Sequence, residues 1–454
     1  MPFHFACIFI TLIAAAPVYP AQRVENVQTL LDQGWALYEA SQYSEATAIF
    51  QQAVDLEPKS ALAHYRLGMS LYQQENDKAA LKHFKRTIKL KRKIPEGHIG
   101  VGLVYLRTKN RRLDARQELR TAAKLDPDNP QVQYYLGLSY IGQNSLTKSR
   151  GYGAFKDGQK YFKRAIELDP NHPDAYYQLA RSYEFPSREC AKAISLYARQ
   201  VMVNPDHMDA LDHFGSCVIE TRQYDEGLAL VSQLIDKFGE EAFPGLYKIR
   251  LQLTASKYQE TKQFNQSLEA YEAYLGTIDS KERELYTNLA YVSSEDPTEE
   301  LVWNTEAERK EVWRRFWAAR EPDPSTEANE RLIEHYRRVM YARIHFSRGQ
   351  YPWDRRGEIY IRYGEPDDRQ NLFFSDGTAP PFPSGDNRID VIRSTNPYRL
   401  SLGTGGPSTG RGITFKTESW VYKPYGIELF FVDQMGRETY DYPLSLIDFG
   451  PQST

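Results

Sequence analysis

The first half of the chain repeats a pattern of small and bulky residues at a constant spacing. Gly34, Gly68 and Gly102 mark three successive periods of equal length. A bulky apolar residue follows each glycine about half a period later, at Phe50, Phe84 and Leu119. Two antiparallel helices approach closely only where side chains are small, and bulky side chains fill the space between neighbouring pairs. The pattern therefore predicts an all-α solenoid of stacked helix pairs.

About seven such periods follow one another, and residues 280–292 read as a helix that caps the stack. The fourth period carries an insert between Gly142 and Gly158, which we expect to lengthen the turn between its two helices. The period of about 34 residues and its small and bulky positions resemble tetratricopeptide repeats, which form an α-α superhelix with a binding groove. The resemblance implies a binding scaffold over residues 22–292.

The period disappears from about residue 293. Residues 305–320 and 326–347 predict two helices from their apolar spacing. The alternation of Ile359, Ile361 and Tyr363 predicts a strand that ends at a Gly-Glu-Pro-Asp turn. Further strands are predicted at 419–422, 426–432 and 438–442, after a Gly/Pro-rich surface loop at 375–412. Residues 293–454 therefore read as a small α+β domain.

A second resemblance lies in this C-terminal part. The segment Arg356-Gly357-Glu358-Ile359-Tyr360-Ile361-Arg362-Tyr363-Gly364-Glu365-Pro366-Asp367, with Phe316-Trp317-Ala318-Ala319-Arg320 before it, resembles the GWxTD domain of exported bacterial proteins. The family has Gly-Trp-x-Thr-Asp where this chain has Tyr351-Pro352-Trp353-Asp354-Arg355, so Trp and Asp are each displaced by one place. If that motif binds a ligand, its binding is lost or altered here. The resemblance implies an architecture and an exported location, but no reaction.

Composition and charge narrow the classes of function. The 454 residues are 41% hydrophobic and 26% charged, which fits a folded globular chain and excludes a disordered one. The formal net charge of −3 supplies no basic surface for a phosphate backbone, so we expect no nucleic-acid partner. No histidine spacing matches a zinc motif and no phosphate-binding glycine loop is present, so we expect no cofactor and no metal.

Residues 1–21 read as a signal peptide. The apolar run from Phe5 to Ala16 is shorter than the roughly 20 residues that span a bilayer. We expect cleavage near Ala21, although no Lys or Arg precedes the run. The mature chain would then be periplasmic or secreted, with no transmembrane segment.

Two cysteines, Cys190 and Cys217, remain after such cleavage. An oxidising compartment permits a disulfide between them, which requires Cα atoms within about 7 Å. Two separate buried thiols are the alternative.

The repeat resemblance also implies which residues line the concave groove. In the first helix of each repeat these positions are Leu31, Trp35, Tyr38, Tyr65, Met69, Tyr72, Tyr134, Leu138 and Tyr177, and later Asp209 and Asp212. The groove would be aromatic at its beginning and acidic further on. It would suit a peptide or protein of the bacterial envelope in which an apolar segment precedes basic residues. The alternative is that the aromatic side chains pack within the solenoid.

In the C-terminal domain we expect a second candidate surface formed by Trp353, Asp354, Arg356, Tyr360, Glu365 and Asp367. Trp353 stands between proline and charged residues, so we expect it to be partly exposed. The whole chain reads as a non-enzymatic adaptor. One alternative is a hydrolase or glycan-acting enzyme whose site lies around Glu365–Asp368, Tyr360 and Trp353, with the repeats selecting its substrate. Another is a structural part of an envelope complex, with an apolar convex face.

Overall fold

The computed structural model describes residues 20–141, 148–184, 189–239, 243–292, 305–323, 326–347, 350–374, 415–433 and 439–441. Helices dominate these residues, and a small sheet lies near the C-terminal end. The chain divides into two compact units, residues 1–214 and 215–454. Residues 1–19 of the predicted signal peptide and the predicted loop at 375–412 lie outside the described residues.

Helix pairs form the first unit. The first helices of the pairs, here called A helices, are α1 (Pro20–Glu39), α3 (Ala61–Gln73), α5 (Pro95–Arg107), α7 (Pro130–Tyr140), α9 (Ala175–Glu184) and α11 (Met208–Thr221). The boundary between the two units falls within α11, which begins in the first unit. The second helices, here called B helices, are α2 (Tyr43–Leu56), α4 (Asp77–Leu90), α6 (Arg112–Leu125), α8 (Lys148–Leu168) and α10 (Cys190–Val203). The predicted all-α solenoid is confirmed.

The turns between paired helices share one backbone conformation. Ser41, Glu75 and Asn110 each adopt a positive φ of about 60° just after an A helix. In the second pair the amide of Asn76 then donates to the carbonyl of Leu71, with N and O 2.9 Å apart. This is the hydrogen bond of a helix terminated by a left-handed residue, and it brings the following B helix back along the A helix.

Each glycine of the repeat pattern faces a bulky side chain of its own pair. A Cβ atom added to Gly34 would lie 2.5 Å from the ring of Phe50, and one added to Gly68 would lie 2.6 Å from the ring of Phe84. A Cβ atom added to Gly102 would lie 2.7 Å from the side chain of Leu119. Both phenyl rings are fully buried. The spacing of small and bulky residues therefore records how closely the two helices of a pair approach.

Successive A helices also contact one another, α1 with α3, α3 with α5, and α5 with α7. Successive B helices approach one another less closely. The first four A helices therefore lie on the inner side of the stack, where a solenoid presents its binding surface.

Most of the insert in the fourth period belongs to a helix and not, as expected, to a turn. Its residues from Lys148 onward lie in α8, which has 21 residues where α2, α4, α6 and α10 have 14. Residues 142–147 lie outside the described residues. The expectation was wrong because the glycines at this point were taken as turn residues, whereas Gly158 packs against Gly137 and Tyr140 of the paired helix.

The second unit combines helices with a small sheet. Its helices are α12 (Tyr224–Phe238), α13 (Pro244–Glu260), α14 (Phe264–Thr277), α15 (Ser280–Thr287), α16 (Glu306–Ala318), α17 (Glu330–His345) and α18 (Arg355–Tyr363), with a 3-10 turn at Leu289–Tyr291. The strands β1 (Asp368–Phe374), β2 (Phe415–Tyr422) and β3 (Ile427–Asp433) form an antiparallel sheet with β2 in the centre. One hydrophobic core joins α14, α15, α17, α18 and the sheet.

Residues 359–363 form part of helix α18, so the strand predicted there is wrong. Asp354 caps this helix, since its carboxylate accepts a hydrogen bond from the amide of Arg356. Ile359, Tyr360 and Ile361 are all buried. A short helix that is buried on several sides has no helical period in its apolar residues, and the alternation was therefore misleading.

Two of the strands predicted later in the chain agree with the structure. Those at 419–422 and 426–432 are confirmed as parts of β2 and β3. Of the strand predicted at 438–442, the described residues show a single antiparallel bridge between Val432 and Asp441.

The close approach of paired helices leads to a stability prediction. We expect Gly68→Ala to lower the free energy of unfolding by about 1–3 kcal/mol, because the new methyl group meets the buried ring of Phe84. Gly276→Ala in α14 is the control, since its added Cβ meets no described atom within 4 Å. Alanine should stabilise that helix by up to about 1 kcal/mol. Denaturant unfolding measures both, and a Gly68→Ala protein as stable as the parent would contradict the packing described.

Candidate partner-binding surface

Partly exposed aromatic residues cluster on the A helices of the first unit. We call this the aromatic surface and define it by Trp35 and Tyr38 of α1, Tyr65, Met69 and Tyr72 of α3, and Tyr135 of α7. The rings of Trp35 and Tyr38 are stacked, with centroids 4.9 Å apart and planes 14° from parallel. The surface is therefore built by side chains from different repeats, which the stacking of A helices brings together.

Polar neighbours hold several of these rings in place. The indole N–H of Trp35 donates to Glu39 at 2.7 Å, and the amide of Gln73 donates to the Tyr38 hydroxyl at 2.9 Å. Arg66 lies 5.2 Å from the centroid of the Trp35 ring. Arg107 lies 3.6 Å from that of Tyr72. Each cation–π contact contributes about 0.5–1 kcal/mol at an exposed site, so the rings are oriented before any partner arrives.

The aromatic surface continues across the third repeat. Met69, Tyr72 and Tyr135 pack against Ile99 and Leu103 of α5. Burial, with a smaller contribution from neighbouring phenols, raises the pKa of Tyr135 to about 12. The pKa of Tyr65 is also raised, again mainly by burial. These phenols keep their protons at neutral pH and offer hydroxyl groups at the edge of an apolar surface.

Not all the predicted groove residues lie on this surface. Leu31 is only 2% exposed and Tyr177 only 7% exposed, so both belong to the core, and the expectation that they line a groove is corrected. Tyr134 and Leu138 are half-buried. The Tyr134 hydroxyl donates to Asp174. The ring of Tyr134 lies 4.5 Å from that of His172, so this tyrosine is held within its own and the following repeat.

Three contributors to the surface were missed in the sequence. Tyr135 directly follows a predicted groove position, and its packing on α5 depends on how α7 is rotated. Arg66 and Arg107 lie on rings of another helix. No local signal marks such pairs, because the two partners belong to different repeats.

The acidic residues expected further along the stack are exposed. Asp209 and Asp212 both lie on α11 with exposed side chains. Asp209 is close enough to contribute to the raised pKa of Tyr177, which is mainly due to burial. Glu184 is buried instead, where it accepts a hydrogen bond from Tyr197 and pairs with His213 at 2.9 Å. The exposed negative charge on this part of the A helices therefore comes from α11.

The candidate surface of the C-terminal domain is largely core. Trp353, expected to be partly exposed, is 3% exposed, and Asp354, Arg356 and Tyr360 are also buried. The side chain of Trp353 lies directly over Gly357, where an added Cβ would come within 2.5 Å of it. Trp353 and Asp354, the displaced Trp and Asp of the motif, therefore stabilise the start of α18 within the core. The expectation of a surface at these residues is corrected.

A buried ionic network surrounds that helix start. Arg356 donates to Asp354 at 2.7 Å and to Glu418 of β2 at 2.9 Å. Glu418 also pairs with Arg369 of β1 at 3.0 Å and accepts from the indole of Trp420 at 3.1 Å. Burial raises the pKa of Asp354 against the opposing effect of Arg356. Two carboxylates and two guanidinium groups thus connect α18 to two strands, and their charges balance.

Glu365 and Asp367 are exposed residues of the turn between α18 and β1. The carboxylate of Asp367 accepts from the amide of Lys423 at 2.8 Å, and its own amide donates to the carbonyl of Val421 at 2.9 Å. Asp368 begins β1, where its carboxylate accepts from Gln370 at 3.1 Å. Asp367 and Asp368 thus stabilise a turn and a strand, and they do not converge as an acid and base pair would.

The remaining features considered in the sequence are the two cysteines, a metal site and a membrane-spanning helix. Cys190 and Cys217 are each a buried thiol in the structure, which corresponds to the second of the two alternatives. Within the described ranges, no group of three or more His, Cys, Asp or Glu side chains is arranged to hold a metal ion. None of the described helices is both long and apolar enough to span a membrane.

Comparison with known families agrees with both resemblances. Residues 31–95 and 104–154 match the tetratricopeptide repeat, and residues 161–200 match a second form of it. Residues 245–373 match the GWxTD domain. The chain therefore combines tetratricopeptide repeats with a GWxTD domain, and the repeats make it a protein-interaction scaffold in general terms. The GWxTD match begins at α13, a helix that the repeat pattern had assigned to the solenoid.

Several solved structures are similar to part of this chain, and two of those named here are described as tetratricopeptide-repeat proteins. TTC0263 of Thermus thermophilus is 21% identical over 42% of this chain and 99% of its own, with a TM-score of 0.36. YrrB, described as having an unusual peptide-binding site, is 20% identical over 42% and 93%, with a TM-score of 0.31. PilF of Pseudomonas aeruginosa is 18% identical over 53% and 98%, with a TM-score of 0.39. These similarities are too low to indicate a function here. No curated protein matches the chain significantly.

Proposed function

We propose that the chain is an exported adaptor that holds a peptide or protein partner on its aromatic surface. The observation that carries the proposal is the row of partly exposed aromatic side chains on α1, α3 and α7. Aromatic side chains supply most of the binding energy in protein interfaces, and they lose little conformational entropy on binding. The contacts of Trp35 with Glu39 and of Tyr72 with Arg107 lower that entropy cost further.

The charges around the surface favour one arrangement of the partner. Arg66 and Arg107 lie on the aromatic rings and pair with Asp32 at 3.7 Å and Asp77 at 3.1 Å, so these four charges balance and do not attract basic groups there. Asp209 and Asp212, exposed on α11, attract them. A partner that lays an apolar segment along α1 to α7 and basic residues toward α11 satisfies both constraints. The apolar segment provides the affinity, and the charges fix the direction of the chain.

The hydrolase alternative receives no such support. Asp367 and Asp368 are engaged in a turn and a strand, and Tyr360 and Trp353 are buried in the core. A general acid and base need carboxyl groups that converge where a substrate can lie. The arrangement at 365–368 favours the scaffold function over catalysis at these residues.

The binding proposal is tested with the full chain and a library of peptides that carry an apolar segment before Lys or Arg. We expect Trp35→Ala and Tyr72→Ala each to weaken binding of a selected peptide at least about tenfold, because each removes an aromatic anchor. Tyr161→Ala is the matched control, a half-buried tyrosine on the B helix α8. Fluorescence anisotropy gives the affinities, and circular dichroism checks the fold. Equal losses in all three variants, or none, would reject the aromatic surface as the binding site.

Export is proposed from the apolar run Phe5 to Ala16, the following residues up to Ala21 and the GWxTD resemblance. We expect the chain isolated from a bacterial envelope fraction to begin near residue 22, because a signal peptidase removes the leader. Mass spectrometry of the intact protein measures this. A protein that keeps Met1 and fractionates with the cytosol would refute export.

A further inference from the structure

A small basic cleft lies in the second unit where α16, α17 and α18 meet. Its volume is about 60 Å³. The charged side chains that line it are Arg320, Arg331, Arg338, Arg362 and Glu334, and the aromatic ones include Trp317 and His335. None of these residues was part of a predicted site, and none belongs to the aromatic surface.

The one carboxylate among these lining residues is already fully engaged. Glu334 accepts hydrogen bonds from Arg337 at 2.7 Å, from Arg338 at 2.8 Å and from Gln259 at 2.9 Å. Within the described part of the chain, the side chain of Arg331 has neither a hydrogen bond nor an ion pair, and that of Arg320 bonds only to the carbonyl of Phe316, at 3.2 Å. The cleft therefore keeps an excess of positive charge that its own residues do not neutralise.

Three of the described residues that line the cleft also have a buried polar atom without a partner. Trp317 and His335 are 4% and 3% exposed. Among the residues that the structure describes, the Trp317 indole N–H, the Arg362 Nε and the His335 Nδ1 have no hydrogen-bond partner. Buried polar groups are paired in nearly all proteins, so three orphaned atoms at one cleft need an explanation. A bound ligand would supply it.

The tautomer of His335 indicates what the ligand must offer. Its Nε2 lies 2.9 Å from the carbonyl oxygen of Tyr286, so Nε2 carries a proton and donates it. Burial lowers the pKa of this histidine to about 4, with a smaller contribution from Arg338 and Arg331. The ring is therefore neutral, and Nδ1 is an acceptor. The ligand must accept from Trp317 and the arginines while donating one hydrogen bond to His335.

We propose that this cleft binds hydrogen phosphate, whose oxygens accept from the cationic and indole groups and whose one O–H donates to His335. A water-sized position takes roughly 10–15 Å³, so the cleft of about 60 Å³ has room for about four to six oxygen-sized atoms, which is enough for a tetrahedral oxyanion. Arg331 and Arg362 bind the charge, Trp317 donates through its indole, and His335 distinguishes a protonated oxyanion from one without a proton. Sulfate has the same shape and no O–H at neutral pH, so it is the natural comparison.

The test is isothermal titration calorimetry of the full chain with inorganic phosphate, sulfate and a phosphate monoester at neutral pH. We expect phosphate to bind, and sulfate to bind several-fold more weakly because it leaves His335 without a donor. Arg331→Ala and Arg362→Ala should each weaken phosphate binding about tenfold, the effect of losing a hydrogen bond to a charged group. Arg314→Ala is the control, an exposed arginine of α16 that pairs with Glu311 outside the cleft.

Arg331 is exposed, so its replacement should leave the fold intact, and circular dichroism verifies this for each variant. Phosphate binding that is unchanged in Arg314→Ala and about tenfold weaker in each of the two cleft variants establishes the site. Absence of phosphate binding by the parent, or binding by both cleft variants that is as tight as the parent's, overturns the proposal. Sulfate that binds as tightly as phosphate overturns the role given to His335. A phosphate monoester is mostly a dianion without an O–H at neutral pH, so monoester binding as tight as that of phosphate also overturns the role given to His335.

Discussion

The first unit depends on the close contact between a glycine of an A helix and a buried side chain of its B helix, which occurs in the first four helix pairs. At Gly34 and Gly68 a phenyl ring occupies the space that a Cβ atom would need. Because the same contact recurs from repeat to repeat, these pairs have nearly the same geometry, and successive A helices meet in the same orientation. Side chains at equivalent positions then come together across repeats. The aromatic surface is a consequence of this regular stacking, since no single repeat contains it.

A different constraint governs the start of α18 in the second unit. Asp354, Arg356, Glu418 and Arg369 are charged groups in or near the core, and burying them is unfavourable unless each is paired. Removing one member leaves another charge buried alone, so the four residues depend on one another. The altered motif at 351–355 retains a tryptophan and an aspartate that have structural roles at this point, packing on Gly357 and capping α18.

The helix pairs could be predicted from the sequence because they depend on a regular local pattern. Contacts between segments that are distant in the chain could not be predicted. Glycines and bulky residues at fixed spacing predicted the helix pairs. The alternation of Ile359, Ile361 and Tyr363 predicted a strand where helix α18 lies, because a helix that buries three consecutive residues, 359–361, shows no helical period. The burial of Trp353 reflects its packing on Gly357 and on Tyr291, whose ring lies 5.0 Å away. The placement of Arg107 over Tyr72 likewise arises only when separate helices pack together. The sequence therefore predicted a set of candidate aromatic positions, but their exposure depends on tertiary packing. The domain limits at residues 21 and 292 remain predictions.

The central claim is that the A helices carry the partner-binding surface, and hydrogen–deuterium exchange tests it most directly. The full chain is compared with and without a bound peptide, and the change in exchange is located along the sequence. The account predicts slower exchange in α1, α3, α5 and α7, with little change in α2, α4 and α6. Protection confined to those B helices, or to residues 305–433, would contradict it.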